Sequence, residues 1–146
     1  MQAVRIIEIP DCKVVSSGIG MFGQKKFDSF PEWFATLPRS VHPKDFLFWD
    51  KEANGFHWVY MYEDGMEVPE AFEVIDFKGG LFAVATDIDN KTDVNAMYKA
   101  KDEFLSSIGF ERDDSRPGLG NVITSPQAAE VMGYMQMDYY SPIRRV

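Results

Sequence analysis

A carboxylate in the middle of a ring-rich apolar strand is the group in this sequence best suited to chemistry. Asp138 lies in MGYMQMDYYSPI, residues Met132 to Ile143. Alternate residues of a strand point to opposite faces. Met135, Met137 and Tyr139 then form an apolar row, and Tyr134, Gln136, Asp138 and Tyr140 form a row of rings and polar groups. An acid in such a row must be solvated, paired or used. Its use would be to hold a cation over the rings, whose quadrupoles attract positive charge. Glu130, in the turn before the strand, is a weaker second acid. Phe56 to Tyr62 repeats the pattern, with His57, Val59 and Met61 on one face and Phe56, Trp58, Tyr60 and Tyr62 on the other. The candidate ligand-binding residues are therefore Trp58, Tyr60, Tyr62, Tyr134, Gln136, Asp138 and Tyr140. Tyr and Trp combine a flat apolar body with a polar end, which suits a half-wet site. Phe27, Phe34 and Phe104 read as ordinary core.

Other chemistry finds little support. Gly18-Ile-Gly20-Met-Phe-Gly23 matches the G-x-G-x-x-G pattern of dinucleotide sites, but no helix opens directly after it and the following strands read as antiparallel hairpins. A glycine-rich loop is the better reading, and no cofactor is expected. His42 and His57 have no His, Cys or carboxylate at ligand spacing, so no metal site is expected. Ser16 and Ser17 lack the nucleophile-elbow pattern. No catalytic residue is assigned, and the residues favour binding over turnover.

Composition sets further bounds. The 146 residues suit one domain, and 45% hydrophobic content is enough for a core. The net charge of −8 and the scattered basic residues argue against direct nucleic-acid binding. No apolar run reaches the roughly 18 residues a membrane helix needs. No secretion signal is evident and Cys12 is the single cysteine, which together point to the cytoplasm. Asn90-Lys91-Thr92 matches a glycosylation sequon, which carries no meaning without secretion.

The elements that must position these residues follow from pattern. Strands are expected at Arg5 to Ile9, Lys13 to Ser17, Asp45 to Trp49, Phe56 to Glu63, Glu70 to Phe77, Leu81 to Thr86, Asn121 to Thr124 and the final Met132 to Ile143. Ser29 and Glu32 form a capping box for a helix carrying Phe30, Trp33, Phe34 and Leu37 and stopped by Pro38. Val94, Met97, Tyr98, Phe104, Leu105 and Ile108 mark a second helix, closed by Gly109. Asn54-Gly55 and Lys78-Gly79-Gly80 read as hairpin turns. Glu111 to Gly120 reads as loop, and Pro126 to Glu130 as a turn or one helical turn. The expected fold is α+β: duplicated strand-helix-strand-strand units, about 1–66 and 67–146. They would form one curved, mostly antiparallel sheet with two helices on one face. The odd rows should meet the helices. The even rows should line a groove on the opposite side, between the halves.

With these residues in place, the sequence resembles the GyrI-like family, the effector-binding domains of many AraC-type and MerR-type bacterial regulators, which also occur alone. The resemblance rests on Ile7-Glu-Ile-Pro10 followed by Lys13-Val-Val-Ser16, on FEVIDFKGGLFAVA from Phe72 to Ala85, on Met97-Tyr98 to Phe104, and on the ending Tyr140-Ser-Pro-Ile143. It implies a central groove that binds hydrophobic, often cationic or aromatic, small molecules against rings and a buried glutamate. Gly120 stands where that acid would be expected, and Asp138 is the proposed substitute. The chain carries no helix-turn-helix, so a stand-alone sensing or sequestering module is implied, with a partner protein or homodimer admitted. The resemblance admits two alternatives: hydrolysis of reactive cyclopropane-type genotoxins, and a protein-binding role like that of topoisomerase inhibitors.

Overall fold

Two stretches of four successive buried residues anchor the structure. In β2 (Cys12–Gly20) they are Val14, Val15, Ser16 and Ser17, and in β6 (Gly80–Ile88) they are Phe82, Ala83, Val84 and Ala85. A strand buried on both faces and paired along both edges reads as a continuous run rather than an alternation. The computed structural model describes residues 3–89 and 91–146, so Asn90 of the sequon lies outside the described residues. Among them are nine strands and three helices, an α+β fold in which β2 pairs antiparallel with β4 (Gly55–Met61) and β5 (Glu73–Phe77), and β6 with β1 (Arg5–Ile9) and β9 (Gln136–Arg145).

The chain packs as two compact units. One is Pro10–Gly79. Its strands run in the order β3 (Asp45–Asp50), β4 (Gly55–Met61), β2, β5 (Glu73–Phe77), with α1 (Lys25–Phe34) packed on β2 and β4. The other joins Gly80–Val146 to the N-terminal segment ending at Ile9. There the order is β8 (Leu119–Val122), β9 (Gln136–Arg145), β6, β1 (Arg5–Ile9), and β7 (Phe110–Arg112) also pairs with β9. This unit carries α2 (Val94–Ser107) and the short α3 (Pro126–Met132). The duplicated motif is thus β2-α1-β3-β4 and β6-α2-β8-β9.

Several local expectations are corrected. Lys78-Gly79-Gly80 is not a hairpin, because β5 pairs with β2 while β6 pairs with β1 and β9. The Asp11 side chain accepts from the Gly79 amide at 2.8 Å, tying the two ends of this unit. The Ser29–Glu32 capping box does not form. Helix α1 begins five residues earlier, at Lys25, and Ser29 Oγ instead donates to the Lys26 carbonyl at 2.6 Å. The entry is held by Asp28, which accepts from the Gly23 amide at 3.0 Å and 3.1 Å. The early start buries Phe27 beside Phe30. It also needs Gly20, where a Cβ would lie 2.7 Å from the Phe27 ring. Helix α2 closes as expected, with Gly109 at φ 79°. The expected loop after it contains β7, and the final strand starts at Gln136 rather than Met132.

Candidate functional site

The ring row of β4 faces α1. The Trp58 ring centroid lies 5.5 Å from Phe27, 5.8 Å from Phe34 and 5.8 Å from Phe22. Tyr60 stacks on Phe34 at 5.4 Å and meets Trp33 edge-on at 6.0 Å. Tyr62, just past β4, packs against the same cluster, whose buried members are Val15, Phe30, Tyr60 and Phe72. The expectation that the even row lies opposite the helix is therefore overturned in this unit. The cause is the helix itself: α1 offers Phe27, Phe30, Trp33 and Phe34, and rings pack well edge-to-face against rings. The odd row falls on the other side, where His57 stacks on Phe48 at 4.7 Å and its Nε2 lies 3.4 Å from Asp50.

In the second unit the expected parity holds. Tyr139 meets Tyr98 of α2 at 6.0 Å, and Ala83 and Ile143 share a core cluster with Leu105 of α2. Gln136, Asp138 and Tyr140 thus point away from α2. Tyr140 is half-buried with its ring 6.0 Å from Phe82, and burial raises its phenol pKa. Tyr134 precedes β9, and Lys91 Nζ sits 4.3 Å from its ring centroid. Asp138 is 7% exposed and already engaged. It accepts from Arg5 at 2.9 Å and 3.3 Å and from Thr86 Oγ1 at 2.8 Å. The structure thus brings Trp58, Tyr60 and Tyr62 together in one unit, and Gln136, Asp138 and Tyr140 on one face of the other.

Sequence reasoning missed Asp45. It opens β3 opposite Tyr60 and accepts a hydrogen bond from the Trp58 indole Nε1 at 3.1 Å. Burial raises its pKa above the usual carboxylate value, against the lowering effect of that hydrogen bond. A half-buried acid held by an indole can balance a cation or, when protonated, donate a proton. The only sequence signal was its place at the head of DFLFWD. On β8, which occupies β3's place in the other unit, the residue opposite Tyr139 is Gly120, which has no side chain to offer. Among the described residues no group of His, Cys, Asp and Glu is arranged to hold a metal ion, and no helix is long and apolar enough to cross a membrane.

No protein-family model and no curated protein sequence matches the chain. Solved structures do. This chain shares its fold with the C-terminal domain of EcmrR. The match covers 100% of this chain and 99% of that one, with a TM-score of 0.65 and 12% identity. A hydrolase from Listeria innocua matches over 97% of this chain and 91% of its own, with a TM-score of 0.69 and 11% identity. SAV2435, in a structure bound to tetraphenylphosphonium, matches over 97% and 94%, with a TM-score of 0.52 and 8% identity. At these identities the likeness is one of fold.

Proposed function

We propose that this chain is a small-molecule-binding domain of the GyrI-like kind. It would act as a sensing or sequestering module for hydrophobic and aromatic ligands, organic cations included. The observation that carries the reading is the half-buried Asp45 carboxylate, held by the Trp58 indole among the rings of α1 and β4. Trp58 and Tyr62, both partly buried, supply ring surface and Asp45 the charge, while Tyr60 is buried in the core behind them. Tyr134, Gln136 and Tyr140 are retained as ligand contacts of the other unit. Asp138 is assigned to holding β1, because Arg5 and Thr86 already occupy it. SAV2435 has this fold and binds a lipophilic cation, which supports the ligand class.

The test is a titration with tetraphenylphosphonium, followed at the Trp58 indole resonance by NMR. Asp45→Asn should weaken binding about tenfold, roughly 1.4 kcal/mol, the scale of a partly desolvated charge contact. Because burial raises the pKa of Asp45, affinity should climb as pH rises through that elevated value. An unmoved Trp58 resonance at millimolar ligand would sink the reading.

The same raised pKa favours a second reading, hydrolysis of an electrophilic strained-ring substrate with Asp45 as proton donor. The hydrolase from Listeria innocua shares the fold. Turnover of a cyclopropane-bearing substrate that persists in Asp45→Asn would remove this role.

A further inference from the structure

Beyond the Asp45–Trp58 cluster, the Pro10–Gly79 unit contains a cavity that holds none of the residues assigned above. It has a volume of about 650 Å³ and lies between the end of α1 and the segment joining β4 to β5. That volume falls within the roughly 300–1,000 Å³ typical of sites for drug-sized ligands. Trp33, Leu37, Met66 and Val68 give it an apolar floor, and Glu63, Asp64 and Glu67 line it as well. No basic residue lines it. Lys44, from β3's approach, neutralises Glu63 through a 2.6 Å contact, while Asp64 and Glu67 make no ion pair among the described residues.

From this combination we infer that the cavity is a second binding site, selective for organic cations that carry an aromatic or branched alkyl body, such as quaternary ammonium compounds. Indole is the best of the natural rings for holding a cation over its face. Trp33 is already fixed in place by Phe30 at 5.5 Å, Phe72 at 5.6 Å and Tyr60 at 6.0 Å. Its orientation therefore costs no ordering when a ligand arrives. The two unpaired carboxylates favour a positive ligand over a neutral one of the same shape and disfavour an anion. Met66 and Val68 accept the hydrocarbon part. A strongly hydrated inorganic cation would gain little from that floor, so the pairing of apolar floor and acidic lining selects an organic ion.

The proposal is independent of the Asp45 site, and NMR separates the two. Benzyltrimethylammonium is titrated into the labelled full chain, with neutral benzyl alcohol in parallel. Expected are shifts of the Trp33 indole and of the Met66 and Val68 amides with the ammonium compound, and smaller ones with the alcohol. The double substitution Asp64→Asn/Glu67→Gln should weaken the response about fivefold and remove most of its salt dependence. These side chains are partly or fully solvent-facing, so the variant should fold, and an unchanged thermal midpoint verifies it. The proposal is overturned by shifts confined to Trp58, by equal responses to the two probes, or by an unchanged affinity in the double variant.

Discussion

Lys101 is fully buried on α2, with its ammonium 3.0 Å from the Tyr139 carbonyl and 3.0 Å from Ser141 Oγ. The rings of Tyr98 and Tyr139 flank it at 5.4 Å and 5.0 Å. Burial, helped by the charge of Arg112, lowers its pKa from 10.5 to about 8. Between those values the unfolded chain holds a proton that the folded chain has released. Stability must therefore rise with pH across that window, by on the order of 2–3 kcal/mol for this one group. Tyr98 acts in the opposite sense above its ordinary value of 10.0, because burial raises its pKa in the fold. Urea denaturation should show stability climbing from pH 8 to about 10 and then levelling. In Lys101→Met the climb should vanish. A variant that keeps the wild-type slope would exclude Lys101 as its source. No periodicity argument could find this residue, because a lysine on an amphipathic helix reads as solvated. Its burial depends on which carbonyl and hydroxyl of β9 lie beneath it.

At the scale of elements, what the sequence made legible was existence and type, and what it hid was entry points and faces. Alternation in β4 showed two distinct rows, but both rows were apolar enough to be covered. Only the composition of the opposing helix decided between them. The Phe-rich face of α1 took the ring row of β4, so Trp58 and Tyr60 went under the helix and the acid that serves them, Asp45, came from the neighbouring strand. In β9 the odd row went under α2, as alternation had implied. The same contrast explains the start of α1. Ser29 and Glu32 have the spacing of a capping box, yet burying Phe27 needs the earlier start, and Asp28 then secures the Gly23 amide. The expected consequence is asymmetric: Asp28→Ala should cost about 1 kcal/mol, as for loss of a helix cap, and Ser29→Ala only a few tenths. Thermal denaturation of the two variants decides it. Equal losses, or a larger loss in Ser29→Ala, would restore the capping-box assignment.

For the whole molecule, the order of strand, helix, strand, strand was readable twice over, while the allocation of the end strands was not. Two glycines after Lys78 looked like a hairpin because local turn chemistry says nothing about which edge a strand will find. The structure instead sends β6 to pair with β1, so a residue near the start of the chain meets one near its end. Arg5 and Asp138 are that meeting, at 2.9 Å, with the Arg5 side chain 45% exposed and that of Asp138 only 9%. A carboxylate so buried depends on its partners, whereas the guanidinium can fall back on water. Arg5→Met should therefore destabilise the protein by about 1–2 kcal/mol, less than the loss of a fully buried pair because solvent screens the exposed partner. Placing Asp138→Asn on the Arg5→Met background should recover part of the loss, since the uncompensated charge is then gone. A double-mutant cycle in urea measures the coupling, expected near 1 kcal/mol. A coupling of zero would mean that backbone pairing with β6 alone holds β1 in place, and that the ion pair contributes nothing to joining the two ends of the chain.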